Sequence, residues 1–368
     1  MEQFYWAALG AAKGIDTARL LALVRSFGSP QDLYEAEEAD ILATGILSPE
    51  RTVKFVESNR KNRKLPEMLQ EQCERLHIAV VPVVSSVYPE RLKRILRPPV
   101  VLYVKGTLPD CRYSIAMVGS RMADAYGRKA AACFGRTLAE AGVVVVSGGA
   151  KGIDTVSHEG ALQGGGKTVA VLGCGPDIIY PPENRKLFER IETGGALISE
   201  YPPGTQPERF HFPERNRIIS GISQGIVLVQ AANRSGAMIT AEFAIDEGRE
   251  VFCIPGNIFT GKSAGPHRLI KAGARLADSP EDILEEVFPE LCGSAHSNLF
   301  TGLNSTAPLR KCSEEQQRML DLLTQGPQTL EQLVEAAGFG IGEASVMLLE
   351  LQMMGFVEMN AARQYYLV

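Results

Sequence analysis

Val143-Val144-Val145-Val146-Ser147-Gly148-Gly149-Ala150-Lys151-Gly152-Ile153-Asp154 is the stretch that decides the fold. Four valines with no polar alternation suit a strand covered on both faces, as in a parallel sheet. The glycines that follow read as a tight turn, and a helix-length apolar segment comes after them. The same succession recurs on either side. Tyr113–Val118 runs into Gly119-Ser120-Arg121, Thr168–Leu172 into Gly173-Cys174-Gly175, and Gly225–Val229 into Ala231 through Arg234-Ser235-Gly236. Ala196–Ile198 and Val251–Ile254 are further runs, and 126–141 and 239–248 are helix-length segments between them. Strand and helix alternating in this way predict an α/β domain over 67–288, an extended Rossmann-like, doubly wound parallel sheet.

The flanks read differently. Residues 1–66 are helical in pattern, with Leu20, Leu21, Leu23, Val24 and Phe27 as an apolar stripe stopped by Gly28-Ser29-Pro30. The turn Lys13-Gly14-Ile15-Asp16 resembles that of a helix-hairpin-helix (SAM-like) module, but Asp16 stands where a second phosphate-binding glycine is usual, which favours a structural role. Residues 289–312 lack periodicity and read as a linker. Residues 313–368 offer three helical segments and a short strand pair, the outline of a winged helix.

The net charge of −5 over 368 residues speaks at first against a nucleic-acid partner. Segment by segment it does not. Residues 1–277 carry 34 Lys and Arg against 29 Asp and Glu, whereas 278–368 carry 4 against 14. Basic clusters at 51–64 and 91–97 read equally as solvated faces and as anion contacts. Seven scattered cysteines without a C-x-x-C pair, no apolar run long enough for a span, and no signal-like start at Met1-Glu2 predict a cytoplasmic protein with neither a disulfide frame nor a zinc site.

In an open α/β sheet the carboxyl ends of the strands border the ligand crevice. Glycine loops there let backbone N–H groups approach an anion, and helix N-termini add partial positive charge. Four such loops on one edge predict a phosphate-type site. A dinucleotide is not its occupant, because Ser147-x-Gly149-x-x-Gly152 departs from G-x-G-x-x-G and no acid ends the next strand. Gly256-Asn257-Ile258-Phe259-Thr260-Gly261-Lys262-Ser263 fits the P-loop pattern, yet it is bracketed by Pro255 and Pro266 and no strand supplies a magnesium-binding acid. No cofactor is expected.

Arg209-Phe210-His211-Phe212-Pro213-Glu214-Arg215-Asn216-Arg217 mixes arginine forks with aromatic faces, which suits phosphates and unstacked bases. Phe210 and Phe212 read rather as alternating core residues, and Arg217 as an anion contact beside the glycine loops. Asp154 and His158 are four apart and could share a helix face as an acid–base pair. The commoner arrangement is a helix-start Asp with a His bonded to backbone. Cys174 has no evident base beside it.

Taken in order, Val118-Gly119-Ser120-Arg121, Ser147-Gly148-Gly149-Ala150 with Gly152-Ile153-Asp154 and His158, Val171 through Gly175 with Asp177 and Tyr180-Pro181, Ser199 through Gly204, Phe212-Pro213 with Arg215 through Gly221, Ser235-Gly236 with Thr240-Ala241, and Ile254-Pro255-Gly256 resemble the DprA (Smf) family over nearly the whole chain. That resemblance implies a non-enzymatic single-stranded DNA-binding protein of natural transformation, a homodimer through its Rossmann domain, that helps load the RecA recombinase. It implies a strand-binding pocket formed by Gly119, Ser120 and Arg121, with Arg217 and the loop Phe212-Pro213-Glu214-Arg215-Asn216-Arg217 beside it. Gly148, Gly149, Lys151, Arg209, Arg215, Asn216, Ser235 and Gly236 are the further candidates. Where some members have lysine after Tyr-Pro, this chain has Pro182, with Arg185 or Lys186 as substitutes.

A rival reading is a nucleoside-monophosphate phosphoribohydrolase, but Ser235-Gly236-Ala237-Met238-Ile239-Thr240-Ala241-Glu242 lacks that enzyme class's P-G-G-x-G-T-x-x-E cluster. The last helical segment, Ile341–Met354, has no Lys or Arg. It is expected to meet protein, or to shield the basic body, rather than to read duplex DNA.

Overall fold

The computed structural model describes residues 1–12, 15–292, 313–324, 326–353, 356–360 and 364–367. The chain divides into two compact units, Met1–Ala295 and His296–Val368. The sequence-read turn at Lys13-Gly14 and most of the linker lie outside the described residues.

The first unit opens with helices α1 (Glu2–Gly10), α2 (Thr17–Phe27), α3 (Pro30–Glu35), α4 (Glu38–Ala43), α5 (Pro49–Lys61) and α6 (Leu65–Arg75). Asp16 caps α2 by accepting from the Arg19 amide, a structural use of the residue. Residue 66 lies inside α6, whose Leu69 and Cys73 join the helical core. That core continues into Ile78, Val101 and Tyr103, so the helices are packed on a sheet edge.

The sheet is built from β1 (Ile78–Pro82), β2 (Val101–Gly106), β3 (Ser114–Val118), β4 (Val144–Ser147), β5 (Thr168–Val171), β6 (Gly195–Ser199), β7 (Gly225–Leu228), β8 (Glu250–Cys253) and β9 (Arg275–Leu276). Its order is β1-β2-β6-β5-β4-β3-β7-β8-β9. Strands β6 to β9 along this order pair in parallel, and β1 and β2 are added antiparallel. Both faces are covered. Ile115, Met117 and Val145 pack against α7 (Ala125–Glu140) and α8 (Ile153–Gln163). Ala116, Val118 and Val146 pack against α10 (His211–Ile222) and α11 (Gly236–Asp246), with α9 (Arg185–Gly194) preceding β6. Helices α12 (Ala264–Lys271), α13 (Glu281–Val287) and α14 (Pro289–Cys292) end the unit.

The second unit contains α15 (Glu314–Leu323), β10 (Gln328–Thr329), α16 (Leu330–Ala337), α17 (Ile341–Met353), β11 (Val357–Met359) and β12 (Gln364–Leu367), the winged-helix arrangement with its own core around Met319, Leu333 and Leu348. No single helix among the described residues is long and apolar enough to cross a membrane.

Candidate nucleic-acid interface

The four glycine loops do converge. Strands β5, β4, β3 and β7 are consecutive neighbours, so their carboxyl ends form one edge, and a cavity of about 660 Å³ lies over it. Its walls come from four directions. Gly119, Ser120 and Arg121 follow β3, Ala150 and Asp154 follow β4, Tyr180 follows β5, and Ser235 and Gly236 open α11. Helix α10 and its lead-in close it with Arg209, Phe212, Arg215 and Asn216.

Backbone geometry requires glycine at two of these turns. Gly152 has φ +85°, and a Cβ there would come 2.2 Å from the Ser120 carbonyl oxygen. This close approach locks the β4 loop onto the β3 loop. At Gly148 a Cβ would meet Arg215 and Asp154, each at 2.8 Å. Gly148 therefore leaves the gap in which a buried guanidinium and a buried carboxylate face each other. Arg215 Nη1 donates to the Gly148 carbonyl at 2.7 Å and also to that of Val171, tying two strand ends together. The Ser120 amide donates to Gln230 O at 2.7 Å, and Asn216 Nδ2 to Gly236 O at 3.2 Å, which fixes β3 to β7 and α10 to α11.

The electrostatics of this floor are mixed. Burial is the main cause that pushes the Asp154 carboxyl up to about 6, against the opposing pull of Arg215 and of the Ala150 amide. The same burial brings Arg215 down to about 10, which leaves it charged at neutral pH. It also holds His158 at about 3, a neutral ring whose Nδ1 lies 2.7 Å from Thr168 Oγ1. Asp154 and His158 are thus not an acid–base pair, and the histidine's partner is a hydroxyl rather than the expected backbone group. Cys174 is buried, its thiol pushed up to about 11 chiefly by that burial.

The rim carries the binding chemistry. Arg121 is exposed, and no carboxylate among the described residues pairs with it; its guanidinium lies 5.7 Å from the Phe212 ring centroid. Phe212 stacks at a tilt on Tyr180 with centroids 5.5 Å apart. Phe210 is 58% exposed. The reading of these phenylalanines as core residues is therefore wrong. The chain reaches them through a loop that passes over the strand ends, and Phe212 lies in the first turn of α10 on the cavity side. Ser235 precedes α11 as its N-cap, yet its hydroxyl makes no capping bond and is buried without a hydrogen-bond partner among the described residues. The start of that helix offers its partial positive charge to an anion, while the Met238 amide already donates to the Ser235 carbonyl at 3.1 Å.

Arg217, expected beside the loops, is elsewhere. Residues two apart on a helix point about 200° apart. With Arg215 on the cavity side, Arg217 turns to Glu200 at the end of β6 and pairs with it at 2.5 Å, its side chain only 13% exposed. Lys151 pairs with Glu183 on the surface. Arg185 and Lys186 are exposed at the start of α9 and do not line the cavity, nor do Gly148 and Gly149, which support it from beneath. The P-loop-like segment forms a short 3₁₀ turn in which Lys262 lies 3.7 Å from Asp124. Tyr180 is a lining residue that the sequence reading did not single out, whereas Phe212, read as core, belongs to the loop that the resemblance sets beside the pocket, and Pro213 was the signal for its place. Proline is tolerated in a first helical turn, which fixes the start of α10 and so its phase.

Comparison with known proteins agrees with this architecture. The family model for DNA recombination-mediator protein A matches residues 79–288, and that for the DprA winged helix domain matches 304–361. DNA processing protein DprA of Streptococcus pneumoniae is 46% identical over 205 residues, 55% of this chain and 72% of that protein. Protein Smf of Synechocystis is 31% identical over 99% of this chain and 98% of its own length. The X-ray structure of DprA from Streptococcus pneumoniae matches with a TM-score of 0.66 at 36% identity, covering 78% of this chain and 98% of that one. DNA processing protein A from Helicobacter pylori, whose structure is described for its single-stranded DNA binding mode, matches with a TM-score of 0.52 at 27% identity over 58% and 98%. With its central domain and its winged helix both matched, the chain belongs to the DprA (Smf) family of DNA recombination-mediator proteins.

Proposed function

We propose that this chain holds single-stranded DNA in the cavity over the strand ends, phosphates against Arg121, Arg209 and the α11 N-terminus, bases against Phe212, Tyr180 and Phe210. The observation that carries the reading is the exposed Arg121, with no carboxylate paired to it among the described residues, set over an aromatic pair at the mouth of a cavity floored by glycine loops. Cation, donor-rich helix start and stacking faces are the three elements of sequence-tolerant strand binding. The family, and the Helicobacter pylori protein described as binding single-stranded DNA, support it. On the same family grounds we place the chain in natural transformation and recombination, protecting incoming strands and helping to load the RecA recombinase as a homodimer. The phosphoribohydrolase reading gains nothing from the site, since Glu242 is exposed on α11 and does not line the cavity.

Titrating oligo-dT and a duplex against the full chain tests this at two salt concentrations. With two or three phosphates neutralised, single-strand affinity falls roughly 10-fold between about 50 and 200 mM salt. Duplex bound as tightly as the single strand, or a flat salt response, refutes the reading. In the same titration the isolated winged helix leaves duplex DNA unbound. Its α17 has no Lys or Arg, buries Ala344, Leu348 and Leu351, and exposes Ile341, Val346 and Leu349, a face suited to protein.

Asp154 adds a pH dependence whose sign follows from its raised carboxyl. Above about 6 it is charged and repels a phosphate; below, it is neutral. Affinity for oligo-dT therefore rises as pH falls from 7.5 toward 5.5, and a bound phosphate raises the carboxyl further. Asp154→Asn keeps an acceptor for the Ala150 amide and flattens that part of the profile. An unchanged slope in the variant assigns the effect to another group.

A further inference from the structure

A second cavity, of about 540 Å³, lies over the next strand ends along the same edge. Its walls come from the residues after β3 (Asp124, Tyr126), after β7 (Gln230) and after β8 (Pro255, Gly256, Asn257, Thr260 and Ser263). Strands β3, β7 and β8 are neighbours, so this cavity continues the first one across the sheet, and the Ser120–Asp124 turn with Gln230 forms the wall between them. Nothing in the strand-binding reading above uses it.

Tyr126 in the wall of the second cavity, and Phe259 on the loop between its lining residues Asn257 and Thr260, are side chains that a folded protein does not ordinarily leave in water. Phe259 is 89% exposed and Tyr126 50%. The Tyr126 hydroxyl donates to the Pro255 carbonyl at 2.6 Å, which ties the first turn of α7 to the loop after β8. Asn257 Oδ1 accepts from the Phe259 amide at 2.8 Å, fixing the exposed loop and leaving the Asn257 NH2 as a donor. The acid in the cavity, Asp124, is already spent. It accepts from the Gly127 amide and Gln230, faces Lys262 at 3.7 Å, and its carboxyl is held below the usual range chiefly by the Gly127 amide. Exposed aromatic faces beside a few fixed amide and hydroxyl groups are the equipment of a nucleobase site.

We propose that the second cavity takes a base of the same DNA strand, with Phe259 and Tyr126 as stacking surfaces, so that the strand runs along the sheet edge from the β4–β3 loops toward β8. The occupant is fixed by continuity. A strand that leaves the first cavity across the Ser120–Asp124 turn and Gln230 enters the second. This rests on the strand-binding reading, and its test separates the two.

Affinities of the full chain for oligo-dT of about 6 and about 20 nucleotides are compared, lengths that bracket one site and an extended path. Phe259→Ala lowers affinity for the long strand roughly 10-fold and leaves the short strand unchanged, since one lost stack is worth about that factor. Asn257→Asp, which sets a carboxylate beside the base, gives the same pattern. Phe259 is exposed, so an unchanged melting temperature is expected for its variant. Equal losses at both lengths, no loss at either, or a changed oligomeric state with length discrimination intact overturns the proposal and assigns Ile258-Phe259 to a protein contact. Wild-type chain that binds neither length fails the strand-binding reading instead.

Discussion

Arg121→Glu lowers affinity for oligo-dT by roughly 100-fold or more while the melting temperature stays within a degree or two of wild type. A charge-assisted bond to phosphate is worth about 1.5–3 kcal/mol, and reversing the charge adds repulsion to its loss. The fold does not pay for this change, because Arg121 is exposed on a turn, with no carboxylate partner among the described residues. The contact is a packing one, over Phe212. Fluorescence anisotropy with a labelled strand at low and moderate salt measures the effect. The salt slope also shallows, by about 0.7 for each phosphate contact removed. Wild-type affinity in Arg121→Glu would move the strand off this cavity altogether.

Arg217→Glu gives the opposite division. The pair with Glu200 is largely buried, and burial already raises the Glu200 carboxyl despite the guanidinium beside it. A second carboxylate there sets two buried acids against each other in place of an ion pair. Breaking such a pair costs about 3–5 kcal/mol, and reversal costs at least as much. For a unit of this size that is a drop of roughly 10 °C in the melting temperature, followed by circular dichroism. The exchange Arg217→Glu with Glu200→Arg recovers part of the loss. A variant that melts like wild type but releases DNA would restore Arg217 to the interface, where its place in the motif puts it.

Arg215 and Arg217 show where linear pattern stops being informative. Both stand in one arginine-rich motif, and both look equally suited to phosphate. A helical reading of Arg215 with Ile218, Ile219 and Ile222 places Arg215 on the buried face three and four residues before its apolar neighbours. That reading needs the start of α10, and only Pro213 marks it. Phe210 and Phe212 show the same difficulty: an alternating aromatic pair resembles a core strand until a loop and a helix start are known to occupy the segment.

The strands follow a similar division. β3, β4, β5, β7 and β8 are unbroken apolar runs because helices cover both their faces, and that double burial is written directly in composition. β1 and β2 escaped notice. They are added antiparallel at the edge, and the helical module supplies one of their covers, so their place in the sheet follows from tertiary packing rather than from strand–helix alternation.

What the sequence determined by itself is the layer architecture, the glycine loops at one sheet edge, the opposite charges of body and tail, and the family. Each is a local property, carried by runs and motifs of a few residues. What the tertiary structure alone decided is which charged groups remain free. Arg121 and Arg217 are equal as residues. Helix phase and strand order give one of them a phenylalanine and open solvent, and the other a buried glutamate.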